Sequence, residues 1–189
     1  MSASNAPFGL RPAFHPSGLD RAQALADGIA SGYAANLLKG SPVKYDTNGN
    51  IVAAAAGDTF AGAFAGVEWT DSTGRRRVSN YWPTGTTYVT GSCVAYFYND
   101  PQIVYEIQAA GSLAQTSIGD QADLSNTTAG STTTGLSQCT LSTTLSGSTP
   151  AQMTIRDLAP YPDNAWGDAY TIVRVTISKS QFQATVNAF

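Results

Sequence analysis

Charge is scarce in this chain. Only 12% of its 189 residues are Asp, Glu, Lys or Arg, about half of the roughly 25% usual in soluble proteins, and they include 3 Lys and 2 Glu beside a single histidine. Catalysis by paired carboxylates, or by a nucleophile beside an imidazole, has few residues to draw on, so an enzyme is not expected. The net charge is -3 with no basic tail or stripe, which argues against tracking a nucleic acid by phosphate neutralisation. Cys93 and Cys139 stand far apart without CxxC spacing, and His15 has no cysteine or second histidine near it. Zinc is therefore not expected, nor any other metal or cofactor. No apolar run approaches the ~20 residues that span a bilayer, and none precedes Pro7 and Arg11 as a cleaved signal would require.

Hydroxyls and small residues fill the gap left by charge. The chain has 40 Ser and Thr and 18 Gly, enough to coat a surface without many ions. Its length suits one domain, for which a folded surface of roughly 8,600 Å² is expected. The opening segment NAPFGLRPAFHPS interleaves Pro7, Pro12 and Pro16 with Phe8, Leu10 and Phe14. Proline fixes its own φ and pushes the preceding residue toward extended geometry, so residues 1–18 are read as an extended arm before a β-rich domain at 19–189. Such an arm either lies across its own domain or docks on a partner subunit. Deleting residues 2–17 is expected to leave the core folded.

Beyond the arm, residues 19–30 have the composition of about two helical turns ended by Gly28. Strands are expected at 33–38, 42–45, 50–55, 60–69, 93–98, 103–108, 153–158 and 170–177, where aromatic and β-branched residues lie between Gly, Pro and Asn turns. The 103–108 run alternates, with Ile103, Tyr105 and Ile107 toward a core. The 93–98 run is continuous, as in a strand covered on both faces. Small residues at 61–66 point to close approach of neighbouring backbones. Residues 111–124 read as a short helical or irregular excursion, and the Ser/Thr-rich stretch 125–149 reads as a polar hairpin. Together these give a mainly β fold, a small Greek-key barrel or sandwich-like domain with an extended N-terminal arm.

Candidate contact residues are aromatic or cationic. Arg75, Arg76 and Arg77 are the one concentrated charge; on a strand, alternation puts Arg75 and Arg77 on one face. They suit an acidic partner surface or plain solvation better than nucleic acid. Tyr81 and Trp82, and Tyr161 and Trp166, sit in Pro- or Gly-bearing connections where small polar residues are usual. Such loops cap a barrel, stack on sugar or anchor an interface. Asp157, Asp163, Asp168 and Asn164 lack the alternating spacing of a calcium loop, and bonding of turn amides is the better reading.

Several short pieces resemble small head proteins of tailed bacteriophages, the decoration or cement proteins. They are NAPFGLRP at 5–12, ASGYAAN at 30–36 followed by GSPVK at 40–44, FAGV at 64–67, YWPTG at 81–85 and PDNAWGD at 162–168. Their order spans nearly the whole chain. The resemblance implies a non-enzymatic virion structural protein, a homotrimer on the outer surface of the capsid. There it would bind the major capsid protein at capsomer junctions after assembly in the host cytoplasm. The expected interface residues are Pro7, Phe8, Leu10, Arg11, Phe14, His15, Arg75, Arg77, Tyr81, Trp82, Tyr161 and Trp166. The alternative is a minor tail or receptor-binding structural protein.

Overall fold

Short runs of β-branched and aromatic residues, cut by glycine and asparagine turns, become short strands. The structure, a computed structural model, describes residues 2–18, 22–147 and 149–185. Within them the chain is mainly β: β1 (Arg11–Phe14), β2 (Gln23–Ala26), β3 (Pro42–Tyr45), β4 (Ile51–Ala53), β5 (Gly62–Thr70), β6 (Arg76–Ser79), β7 (Val94–Tyr98), β8 (Val104–Gln108), β9 (Gln121–Ser125), β10 (Gly130–Ser131), β11 (Leu136–Ser137), β12 (Thr140–Ser146), β13 (Met153–Leu158) and β14 (Ile172–Ile177), with a 3-10 turn at Gln115–Ser117.

Two six-stranded sheets hold most of these strands. The first runs β1-β8-β14-β13-β9-β12; the second runs β2-β7-β5-β3-β4, with β6 also on β5, and β10 and β11 form a separate ribbon. Every strand pair described is antiparallel. No sheet closes into a barrel among the described residues. One isolated parallel bridge, Ala109 to Leu141, brings the chain just after β8 against β12. Each sheet has its own buried cluster: Tyr105, Ile107, Met153, Ile155, Val173 and Val175 under the first, and Ile51, Phe64, Val67, Trp69, Trp82 and Phe97 under the second. Each such side chain contributes about 1.5–3 kcal/mol on burial.

Eight strands were expected, and seven lie within a residue or two of the expected bounds. The eighth differs: residues 33–38 form turns that meet a neighbour through one bridge, Leu37 to Trp82. Leu37 and Leu38 are both buried, and backbone bonds tie the segment to the 82–85 turn, with Leu37 and Trp82 exchanging bonds and the Gly85 amide donating to Tyr33. The helix expected at 19–30 is also absent from its described part, and residues 19–21 lie outside the described residues. Instead Gln23–Ala26 pairs along the edge of β7. Two turns cannot repay helix nucleation alone, whereas an open strand edge offers a ready partner for the backbone. The 111–124 excursion contains the 3-10 turn and the start of β9. The Ser/Thr-rich stretch supplies the β10–β11 ribbon and β12, which pairs with β9 at the margin of the first sheet.

Ile103, Tyr105 and Ile107 face the first core as expected, but burial departs from expectation on the rest of two strands. β7 alternates, with only Ala95 and Phe97 buried, while all five residues of β8 are buried. The polar side of β8 is covered by the arm: the Ala6 amide donates to Gln108 Oε1 at 2.9 Å and Gln108 Nε2 donates to the Ser4 carbonyl at 3.0 Å. The small residues of β5 do mark a close approach. A Cβ at Gly62 would stand 1.6 Å from the Tyr98 carbonyl oxygen, and the β5–β7 register shifts between Phe64 and Gly66.

Candidate interaction site on the first sheet

Strand register sets the centre of the site. β1 places Arg11 opposite Glu106 of β8, and β14 places Arg174 opposite the same residue from the other side. Glu106 thus lies between two arginines on the face turned away from the core, an opposite-charge arrangement that cross-strand pairing favours. Arg11 approaches its carboxylate at 2.6 Å and Arg174 at 3.7 Å. The Tyr161 hydroxyl, brought in by the loop after β13, donates to Glu106 Oε2 at 2.5 Å and also meets Arg11. Arg174 lies 3.7 Å from Asp157.

Aromatic rings surround this ion cluster. The Arg11 guanidinium sits 4.6 Å from the centre of the Phe8 ring and 5.7 Å from that of Tyr161. Arg174 lies 5.4 Å from the Phe14 ring centre. These are cation–π distances. Glu106 is only 7% exposed, and burial by itself would raise its carboxyl. Hydrogen bonds from Tyr161 and Arg11, with the charges of Arg11 and Arg174, outweigh this and hold it below the ordinary range. Burial and then the bond to Glu106 push the Tyr161 hydroxyl up. The cluster is a network of two arginines and two carboxylates, Glu106 and Asp157, whose charges balance.

Four expected contact residues therefore meet here: Phe8, Arg11, Phe14 and Tyr161. Phe14 is 43% exposed. His15 follows at the end of the arm, its Nε2 lying 3.1 Å from Asp100 and its Nδ1 2.6 Å from the Ser17 hydroxyl. Pro7 is half-buried beside the arm's start, and Trp166 is half-buried against the first core. Leu10 lies against that core, 1% exposed.

The remaining expected residues belong to the second sheet. Arg76 binds Glu68, and Arg77 Nε donates to Asp71 at 2.8 Å. Each carboxyl is held below its ordinary range, Glu68 chiefly by Arg76 and Asp71 chiefly by the Thr73 hydroxyl. Arg75 is exposed, and its side chain has no ion-pair partner among the described residues. Tyr81 is half-buried. Trp82 is fully buried, edge-on to Trp69 and Tyr88 at 5.7 and 6.1 Å, so it anchors the second core from within.

Glu106 and Arg174 were not singled out from the sequence as contact residues. Alternation in Ile-Val-Arg-Val-Thr-Ile does place Arg174 on the polar face, but which strand lies beside it is a matter of topology. Among the described residues no group of His, Cys, Asp or Glu is arranged to hold a metal. Asn164 closes its loop by bonding Ala159 and Ile172. Asp168 accepts from Ser2 and the Ala165 amide. Both thiols are free and buried, one under each sheet; burial raises Cys93 to about 11 and Cys139 to about 12. No helix among the described residues is long and apolar enough to cross a membrane. Comparison with protein-family models, with curated proteins and with solved structures finds no match.

Proposed function

We propose that this chain is a non-enzymatic virion structural protein that binds the outer surface of an assembled capsid. It contacts the major capsid protein as a homotrimer and stabilises capsomer junctions. The observation that carries the reading is the gathering of Phe8, Arg11, Phe14 and Tyr161 around Glu106 on one face. Rings and guanidinium groups held by packing are the residue types that dominate interface energies. A protein that binds the assembled lattice but not free subunits stabilises the shell by linkage, and three-fold presentation multiplies weak contacts into avidity. In this reading the first sheet, with its bridge from Ala109 to Leu141, is a barrel-like Greek-key unit beside a second sheet.

A density map of the native particle tests the proposal. Copies grouped in threes over the whole head are expected. A few copies confined to one vertex would instead identify a minor tail or receptor-binding protein. On heads that do carry the protein, Phe14→Ala is expected to lower occupancy while leaving the melting temperature within about 2 °C, since an exposed ring contributes little to the fold. Unchanged occupancy would remove the arm face from the interface.

A further inference from the structure

A hollow of about 400 Å³ lies between the arm and the β10–β11 ribbon, within the range of about 300–1,000 Å³ typical of ligand pockets. Leu10 and Phe64, each 1% exposed, form its floor. Phe8 and Leu136 also line it, and Leu136 is an exposed leucine at 43%. Backbone bonds join the segments that frame it. The Leu10 amide donates to the Gly40 carbonyl and the Gly40 amide to Phe64, both at 2.8 Å; Lys39 donates to Gly135 at 2.9 Å and accepts from Ser137 at 3.0 Å. The hollow is thus formed before anything enters it, which lowers the ordering cost of binding.

Its lining contains two cations, Lys39 and Arg11, and no carboxylate. Arg11 is engaged by Glu106. Lys44 pairs with Asp58 and Lys179 bonds the Gly57 carbonyl, whereas the exposed Lys39 ammonium has no side-chain partner among the described residues. An apolar floor beside an uncompensated ammonium matches a group that is apolar at one end and anionic at the other. We infer that the hollow takes a large apolar side chain of the capsid partner, with an acidic residue next to it in sequence. This inference rests on the capsid-binding reading and names the chemistry of the contact.

The test uses the full chain and three acetylated, amidated tetrapeptides: Gly-Phe-Asp-Gly and its counterparts with Asn or Lys in place of Asp. With native protein, amide shifts at Lys39, Gly40 and Leu136 are expected to move with the Asp peptide at about tenfold lower concentration than with the Lys peptide. Lys39→Glu, at an exposed position, should reverse that order without changing the melting temperature. Absence of shifts at these amides, or the same order in both proteins, overturns the inference. Occupancy on heads separates the two claims. Native protein that takes the Asp peptide but leaves heads bare counts against the capsid reading alone. Native and Lys39→Glu proteins that coat heads equally well overturn the hollow as the capsid contact and leave the capsid reading standing.

Discussion

Glu106 carries one negative charge between Arg11 and Arg174, and its burial makes that charge depend on them. Replacing it with Gln keeps the shape and removes the charge. The cost is expected to be about 1–3 kcal/mol, since hydrogen bonds to a charged group are exchanged for neutral ones, with Arg11 still able to reach water. Because the folded carboxyl lies below its ordinary 4.5, its stabilisation is complete above that value and is lost as pH falls through the lower folded value. Urea midpoints of native and Glu106→Gln proteins should therefore differ at pH 7, and the gap should narrow as pH falls below 4.5 through the lower folded value. A gap that does not narrow as pH is lowered would show that the charge is not the source. At this scale the sequence identified Phe8, Arg11, Phe14 and Tyr161 but not the glutamate that assembles them, because a strand's own text does not say which side chains lie opposite. Trp82 shows the converse. A tryptophan in a Pro-Thr-Gly turn resembles an exposed anchor, yet the turn folds inward and the ring packs against Trp69 and Tyr88.

Strands were the most legible elements, since period and turn residues are local properties. Their burial was only partly so: Ile103, Tyr105 and Ile107 face the first core as their alternation suggests, whereas β7 alternates and the polar side of β8 is buried too. β8 alternates in sequence but is enclosed because the arm and the Tyr161 side chain lie over its polar face. β2 is a strand only because β7 offers it an edge. The contact between β5 and β7 gives the sharpest prediction for an element. Gly62→Ala would put a methyl group 1.6 Å from the Tyr98 carbonyl oxygen, a backbone collision that no side-chain rotation relieves. A loss of about 3 kcal/mol or more is expected, the upper end of overpacking costs. Thermal unfolding would check it, and a native-like midpoint would mean that β5 and β7 are not this close.

At the scale of the molecule, the arm is part of the fold. Ser2 is buried and contacts Asp163 and Asp168, Leu10 lies in the first core, and β1 extends the first sheet. Deleting residues 2–17 is therefore expected to cost at least about 3 kcal/mol, on the scale of losing one buried leucine. Of the two placements that the prolines leave open, the arm takes the one across its own domain, and the core is not expected to be indifferent to its loss; an unchanged melting temperature after deletion would count against this. The sequence by itself determined the mainly β class, most strand positions and the poverty of ionisable groups, because composition, period and turn chemistry act over a few residues. Only the tertiary structure decided that the arm is stitched down, that Trp82 faces inward and that Arg11, Arg174 and Tyr161 converge on Glu106. Those outcomes depend on which strands become neighbours, and neighbours far apart in sequence are chosen by the packing of the whole chain.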